Sequence, residues 1–383
     1  MRRFRKLVIL DPVILLRDQH VRLRSLADDV VEFSSLSPDA MLRAAHDEMD
    51  ENPSPMCWTQ LAAEDVTQQE LLRRLDGADA VITCWTNIPD GVLLANRQLR
   101  YIGFWTNLAE HRLNLALAKK LGIHVTYVPD YGTDSVAEMT IAGMLAVSRK
   151  VTQTAKDTER GRWPYELLKT GVHVPSVDDI PQRMLRDKLL GIVGFGRIGQ
   201  RVAEIALAFR MRVQYFSRHR YPDWEAKGVS YTQLPNLFST SDIVSVHLSP
   251  YAPEKVVSAE LIGRLRDKAI FVNTSAGRLV DQEALLREVE SHRINVYLDV
   301  YEGLPPRQRL KNIRLQDNLF TYRAGWFTQE AITYKGESLL RNITDFLSGN
   351  PGPAVWNVTR TSEDPSEVPC IGPTNCDGAE GPA

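Results

Sequence analysis

The segment Leu189-Leu190-Gly191-Ile192-Val193-Gly194-Phe195-Gly196-Arg197-Ile198-Gly199-Gln200 restricts the possible folds of this chain more than any other. An apolar, β-branched run leads into Gly-x-Gly-x-x-Gly, a helical pattern follows over 200–210, and a second apolar run spans 213–216. That order predicts a strand, a tight glycine turn, a helix and a second strand. In such a unit Gly194 makes the turn, Gly196 lets backbone approach a pyrophosphate, and Gly199 lets helix and strand pack closely. The helix start then offers free N–H groups and a positive dipole end to phosphate. A bare Gly-x-Gly-x-x-Gly is often only a loop, but these flanks favour a dinucleotide. Gly194, Phe195, Gly196, Arg197, Ile198 and Gly199 are therefore the first candidate cofactor-binding residues.

The end of the second strand selects between dinucleotides. Sites for NAD(H) usually place Asp or Glu there to hold the ribose 2′-hydroxyl. Here the residues are Ser217-Arg218-His219-Arg220, with no acid to repel a 2′-phosphate. Arg suits phosphate through its planar fork. Read as more than solvated loop charges, Ser217, Arg218 and Arg220 predict NADP(H) in preference to NAD(H).

At 383 residues the chain has length for about two domains. Its net charge of -2 gives no overall field to attract nucleic acid or an anionic membrane. The basic start Arg2-Arg3-Phe4-Arg5-Lys6 imitates a secretory leader, but Asp11 and Arg17 interrupt the apolar run, which predicts a first strand instead. No stretch approaches the ~20 apolar residues of a membrane span. Cys57, Cys84, Cys370 and Cys376 are scattered, with neither Cys-x-x-Cys nor zinc spacing. No metal site and a reducing, cytoplasmic setting are expected.

Apolar runs at 7–10, 30–33, 80–83, 101–104 and 124–127 read as strands, with amphipathic helices such as 68–75 and 113–121 between them. Such alternation predicts a parallel sheet covered by helices. The stretch 46–64, with Pro53, Pro55 and Cys57-Trp58, reads as an insertion. A helix is predicted over 135–151, capped by Thr133 or Asp134. The segment 164–186 is rich in Pro, Asp and Val and reads as an excursion. Strands follow at 243–248, 269–273 and 295–300, and a final helix at 329–347. From 361 onward Pro, Gly, Ser and acids dominate, which predicts a disordered tail.

Several segments together resemble the D-2-hydroxyacid dehydrogenase family, the group containing D-lactate and phosphoglycerate dehydrogenases, hydroxypyruvate reductases and the C-terminal-binding-protein corepressors. They are Asp134-Ser135-Val136-Ala137-Glu138-Met139-Thr140, the glycine fingerprint at 191–199, Val246-His247-Leu248-Ser249-Pro250, the segment 272–281, Leu298-Asp299-Val300-Tyr301, and 321–328. The resemblance covers most of residues 5–358. It implies an α/β fold of two Rossmann-like domains, each a doubly wound parallel sheet, with a cleft between them. The implied substrate domain is discontinuous, 1–125 plus 329–360, around an NAD(P)-binding domain at 126–328, with a tail at 361–383. A homodimer through the cofactor domain is implied too. So are cofactor contacts from His247, Asn273, Thr274, Ser275, Asp299 and Gly325, with Asp299 at the nicotinamide carboxamide.

The same resemblance exposes what is missing. The family reduces a 2-keto acid with an Arg that binds the carboxylate, a His that acts as general acid, and a Glu that tunes that His. Carried over position by position, the Arg falls on Ala276, the Glu on Leu304 and the His on Arg323. The family's glycine-rich substrate loop falls on Trp105-Thr106-Asn107-Leu108-Ala109-Glu110-His111, without its glycines. Arg323 cannot give up a proton, but it can stabilise negative charge or bind an acidic group. Tyr322 and His111 are the remaining proton-donor candidates. Trp85, Trp105, Tyr322, Trp326 and Phe327 map near the cleft; singly each reads as packing, but as a cluster they disfavour a small keto acid. Arg278 and Glu302 read as shifted stand-ins for the missing Arg and Glu, or as surface charges.

These readings predict an NADP(H)-dependent oxidoreductase acting by hydride transfer on a small molecule other than a simple 2-keto acid, such as a C=C or C=N bond in a bulky or aromatic compound. One rival is an NAD(P)H-binding regulatory protein without chemistry. The other is a 2-keto acid reductase that uses Arg278 or Arg323 as its anion clamp.

Overall fold

Alternating strands and helices build two parallel sheets. The computed structural model describes residues 3–11, 13–33, 66–106, 112–161, 182–302, 313 and 317–349. The first sheet has the order β2-β1-β3-β4-β5, from β1 (Phe4–Ile9), β2 (Ala27–Glu32), β3 (Ala80–Thr83), β4 (Tyr101–Phe104) and β5 (His124–Thr126). Every pairing in it is parallel. β3 and β4 are buried at every position, which is why they read as unbroken apolar runs rather than alternating ones.

The second sheet has the order β12-β11-β10-β9-β6-β7-β8. It contains β6 (Leu189–Val193), β7 (Arg212–Phe216), β8 (Ser230–Tyr231), β9 (Ile243–Val246), β10 (Ile270–Asn273), β11 (Asn295–Leu298) and β12 (Leu319–Phe320). Its pairings are parallel too. Strand order reverses between β6 and β9, which opens a crevice at their carboxyl ends.

The helix expected over 135–151 runs instead from Thr133 to Ser148, and a separate helix, Val151–Glu159, follows it. The break falls at Lys150, whose left-handed backbone (φ 51°) ends the first helix and whose Nζ binds Asp317 at 2.7 Å. Neither Thr133 nor Asp134 caps that helix: Gly132 holds the cap position, and Asp134 accepts a hydrogen bond from Arg201 Nε at 2.7 Å. The helix Arg17–Arg24 escaped the sequence reading because it buries only Gln19 and Leu23, too little for a visible stripe. The expected insertion at 46–64, most of the 164–186 excursion and the tail from 361 lie outside the described residues. Among the described residues no helix is long and apolar enough to cross a membrane, and no His, Cys, Asp and Glu cluster could hold a metal.

The chain crosses between the sheets twice. It leaves after β5 and returns after β12 into the helix Gln329–Leu347, which packs on β4 and on Arg17–Arg24 of the first sheet's layer. Gln19 Nε2 donates to Thr333 O at 3.0 Å, and Arg22 pairs with Glu337 at 2.7 Å. The two crossings touch each other, with Ser135 Oγ and Thr328 Oγ1 2.9 Å apart.

Candidate active site

The glycine turn sits at the crevice between β6 and β9. Gly194 has φ +94°, and a side chain there would strike the backbone of His247 and Leu248 at the end of β9. Gly199 faces the Gly194 carbonyl so closely that a Cβ would overlap it, which lets the helix Arg197–Ala208 start directly behind the strand. Gly196 differs: a Cβ there would meet nothing within 4 Å. That open space lies in front of a twelve-residue helix without a side-chain cap, so its first N–H groups face the crevice. This is the shape and polarity that a pyrophosphate requires. Phe195 needs correction as a cofactor contact. Its ring is fully buried, stacked on Tyr215 at 4.1 Å with Trp224 edge-on, so only its backbone remains for a ligand. Ile198 is half-buried against the same core, and the exposed Arg197 pairs with Asp130 on the outgoing crossing.

At the ribose end, β7 stops at Phe216 and Ser217 is half-buried while Arg218 and His219 are exposed. Arg220 is paired within the protein. Its guanidinium is forked onto Glu225 and lies over the Tyr231 ring at 5.3 Å. The pairing raises the Arg220 pKa and lowers that of Glu225. Glu225 is thereby paired within the protein, and Arg218 and His219 stay exposed beside the half-buried Ser217. Sequence reading missed Glu225 as the partner although it lies only five residues on.

His247 follows β9, half-buried. Its Nε2 lies 2.8 Å from Ser245 Oγ, and burial pushes its pKa down to about 3, which keeps the ring neutral. Asn273, Thr274 and Ser275 form the loop after β10. Asn273 Oδ1 accepts from Ser275 N at 3.0 Å, Ser275 Oγ donates to Val246 O at 2.8 Å, and Thr274 meets Thr140 at 3.1 Å. These side chains fix the loop's shape before any ligand arrives.

Asp299 does the same for the turn that carries Arg323. It is 3 % exposed and accepts from Thr321 Oγ1 at 2.5 Å, Ala324 N at 2.7 Å and Gly325 N at 2.9 Å. Arg323 sits in the left-handed region (φ 54°), with its N–H on the Asp299 carbonyl at 2.8 Å. Its guanidinium reaches to 5.6 Å above the Trp85 ring, in the segment after β3. That segment is ordered by a second buried carboxylate, Asp11, which binds the backbone N–H groups of Cys84, Trp85 and Thr86. Tyr322 is 65 % exposed and Phe327 45 %. Trp105 is buried and meets Trp326 edge-on at 6.3 Å, and Phe327 meets Trp326 edge-on at 5.3 Å, so of the expected aromatic wall these three come together, with Trp85 packed against the same core.

Of the shifted stand-ins, Arg278 is engaged through its side chain and, among the described residues, Glu302 through its backbone alone. Arg278 donates to the Pro250 carbonyl and faces Glu254 at 3.9 Å. The backbone of Glu302 exchanges two 2.8 Å hydrogen bonds with the Gln282 side chain. His111 and Leu304 lie outside the described residues. Lys335 went unnoticed in the sequence: it lies buried beneath Trp105, Tyr131 and Trp326.

Residues 141–322 match the family described as D-isomer specific 2-hydroxyacid dehydrogenase, NAD binding domain. A hydroxypyruvate reductase of Thermotoga maritima is 30% identical over 289 residues, covering 74% of this chain and 90% of that protein. A glyoxylate reductase of Aeropyrum pernix is 34% identical over 301 residues, covering 76% and 86%. Among solved structures, a Thermus thermophilus protein is 26% identical with a TM-score of 0.69, covering 91% of this chain and 99% of that one. An acyclic imino acid reductase in complex with NADPH and D-Arg shares the fold at a TM-score of 0.68 and 23% identity, with 91% and 99% covered.

Proposed function

The chain belongs to the D-isomer specific 2-hydroxyacid dehydrogenase family, and from that premise we propose that it is an NADP(H)-dependent reductase with a rebuilt active site. Its substrate is a small molecule other than a simple 2-keto acid, with a C=C or C=N bond carried by a bulky or aromatic body. The reading is supported by a preserved glycine cradle and by the family resemblance, which puts Ala276 and Arg323 where the family has its Arg and His. The first N–H groups of the helix Arg197–Ala208 would hold the pyrophosphate, and Ser217 with Arg218 the 2′-phosphate. When bound there, the nicotinamide supplies hydride. Asp299 holds the turn that aims Arg323 across the cleft, where a fixed cation meets the negative charge that develops on a reduced substrate. A homodimer working in the cytoplasm fits the same reading.

Fluorescence titration with each cofactor tests the nucleotide choice. NADPH should bind at least about tenfold more tightly than NADH, and Arg218→Ala should erase most of that preference. Tighter binding of NADH overturns it. Arg323→Ala should lower turnover by about a hundredfold at unchanged NADPH affinity, as loss of one fixed charge-stabilising group does elsewhere. Unchanged turnover removes Arg323 from the mechanism.

The names of the relatives favour a second reading, reduction of hydroxypyruvate or glyoxylate. It needs an anion clamp: Arg278 is already tied to Pro250 and Glu254, which leaves Arg323 over the Trp85 ring for that role.

A further inference from the structure

The final helix buries Ile332, Lys335, Leu339 and Ile343 along one stripe, and the lysine does not belong there by hydrophobicity. Lys335 is 2 % exposed. Its Nζ lies 3.3 Å from the ring centre of Trp105, 4.0 Å from Tyr131 and 4.8 Å from Trp326. Burial lowers its pKa to about 8, and the neighbour that opposes the shift is the Cys84 thiol rather than a carboxylate. Aromatic faces attract an ammonium but leave its N–H groups without a strong acceptor. A packing role alone would be better served by Leu or Met.

The position matters as much as the chemistry. Trp105 follows β4, Tyr131 lies on the outgoing crossing, and Trp326 on the returning one, directly after the Gly325 that Asp299 holds. The cage therefore forms where both crossings meet the strand ends of the first sheet. Around it the indole N–H groups of Trp85 and Trp105 and the hydroxyl of Thr106 are buried without a hydrogen-bond partner. Among the described residues these buried polar groups are left for a ligand to meet.

We infer that Lys335 is the proton donor of this cleft, filling the role of the family's absent His. The inference rests on the reductase reading above. In the step, two electrons arrive as hydride on one atom of the C=N or C=C bond from the reduced nicotinamide. One N–H bond of the Lys335 ammonium breaks, and its proton forms the new N–H or C–H bond on the other atom. Nζ is left as a neutral amine and, being only 2 % exposed, regains its proton by way of the cleft when the product leaves. Among the described residues, two buried carboxylates stand behind this cage, Asp11 on the N–H groups of Cys84 to Thr86 and Asp299 on that of Gly325, and Arg323 lies over the Trp85 ring. Cys84 faces Nζ from the end of β3, Tyr131 from the crossing, and Tyr101 of β4 is held by Thr126 at 2.6 Å. On the helix Arg17–Arg24, Arg22 pairs with Glu337 and Asp18, and His20 and Arg24 with Glu32.

The test compares the full chain with Lys335→Arg and Lys335→Met. Arginine keeps the charge and the aromatic contacts but releases no proton. Tryptophan emission followed from about pH 6 to 11 should show a transition near pH 8 in the wild type, because two indoles flank Nζ, and neither variant should show it. Substrate-dependent NADPH oxidation should fall by about a hundredfold or more in both variants, with NADPH affinity within about twofold. Absence of the transition overturns the donor role whether or not a substrate is known, and so does retained turnover in Lys335→Arg. A wild type that shows the transition but oxidises NADPH with no substrate overturns the reductase reading, and the donor role falls with it.

Discussion

Lys335→Met should unfold at higher denaturant than the wild type at pH 7, by roughly 1–2 kcal/mol, while losing its turnover. The sign follows from the direction of the shift. The Lys335 pKa falls from 10.5 to about 8 on folding because burial desolvates the ammonium. A fall of that size costs roughly 3 kcal/mol wherever both states are protonated, that is, below pH 8. The ring contacts are already inside that difference, and methionine's imperfect fit in a site shaped for lysine offsets roughly 1–1.5 kcal/mol of it. Methionine removes the cost and keeps much of the packing. Between pH 8 and 10.5 the unfolded chain binds the proton that the folded one has released, so the wild type gains on the variant and the difference shrinks. Urea unfolding at pH 7 and at about pH 10 measures both ends. A residue that only packs would lose stability on replacement and would show no such pH dependence.

Asp299→Ala should have the opposite effect on stability and a larger one. The carboxylate is buried and accepts from one hydroxyl and two backbone N–H groups of residues 321–325. Each charge-assisted bond of this kind contributes about 1.5–3 kcal/mol, and alanine leaves the two backbone donors buried without acceptors. A loss of roughly 3–5 kcal/mol is expected, with Asp299→Asn intermediate because its amide can replace only part of the acceptor set. The turn also positions Arg323 and leads to Trp326, so cofactor-dependent activity should vanish with it. Chemical denaturation with an unchanged m-value would measure the stability loss.

The sequence made the nucleotide half legible because its determinants are local. Gly194, Gly196 and Gly199 follow one another closely where β6 gives way to the helix Arg197–Ala208. The apolar runs of β3, β4 and β6 announced themselves by being buried on both faces. Side chains whose partners are set by packing were not legible in the same way. Phe195 lies inside the fingerprint, yet its ring belongs to the core with Tyr215. Arg220 lies in the ribose loop, yet Glu225 holds it. The family resemblance puts Asp299 at the nicotinamide, and its three described bonds run to the turn at 321–325. The Lys335 cage draws on segments that are far apart in sequence, which no local pattern can join. One signal was present: a lysine on the apolar stripe of an otherwise regular amphipathic helix. Asp11 is a similar case, a carboxylate directly after a buried strand that orders a loop more than seventy residues away.

Stability and function therefore pull in different directions at neighbouring points of one cleft. Asp299 and Asp11 direct their charge onto backbone donors and fix the loops. Lys335 and Arg323 hold theirs against aromatic faces.

The most direct test of a preserved cradle beside replaced chemistry is the rate at which the wild-type protein, saturated with NADPH, reduces hydroxypyruvate. On the proposed reading, Ala276 and Arg323 stand where that reaction has its carboxylate clamp and its general acid. The predicted result is cofactor binding with turnover below about 0.01 per second, far under the roughly 1–10³ per second of ordinary enzymes. Turnover in that ordinary range would contradict the account, because a standard keto-acid reductase would then be at work without its standard residues.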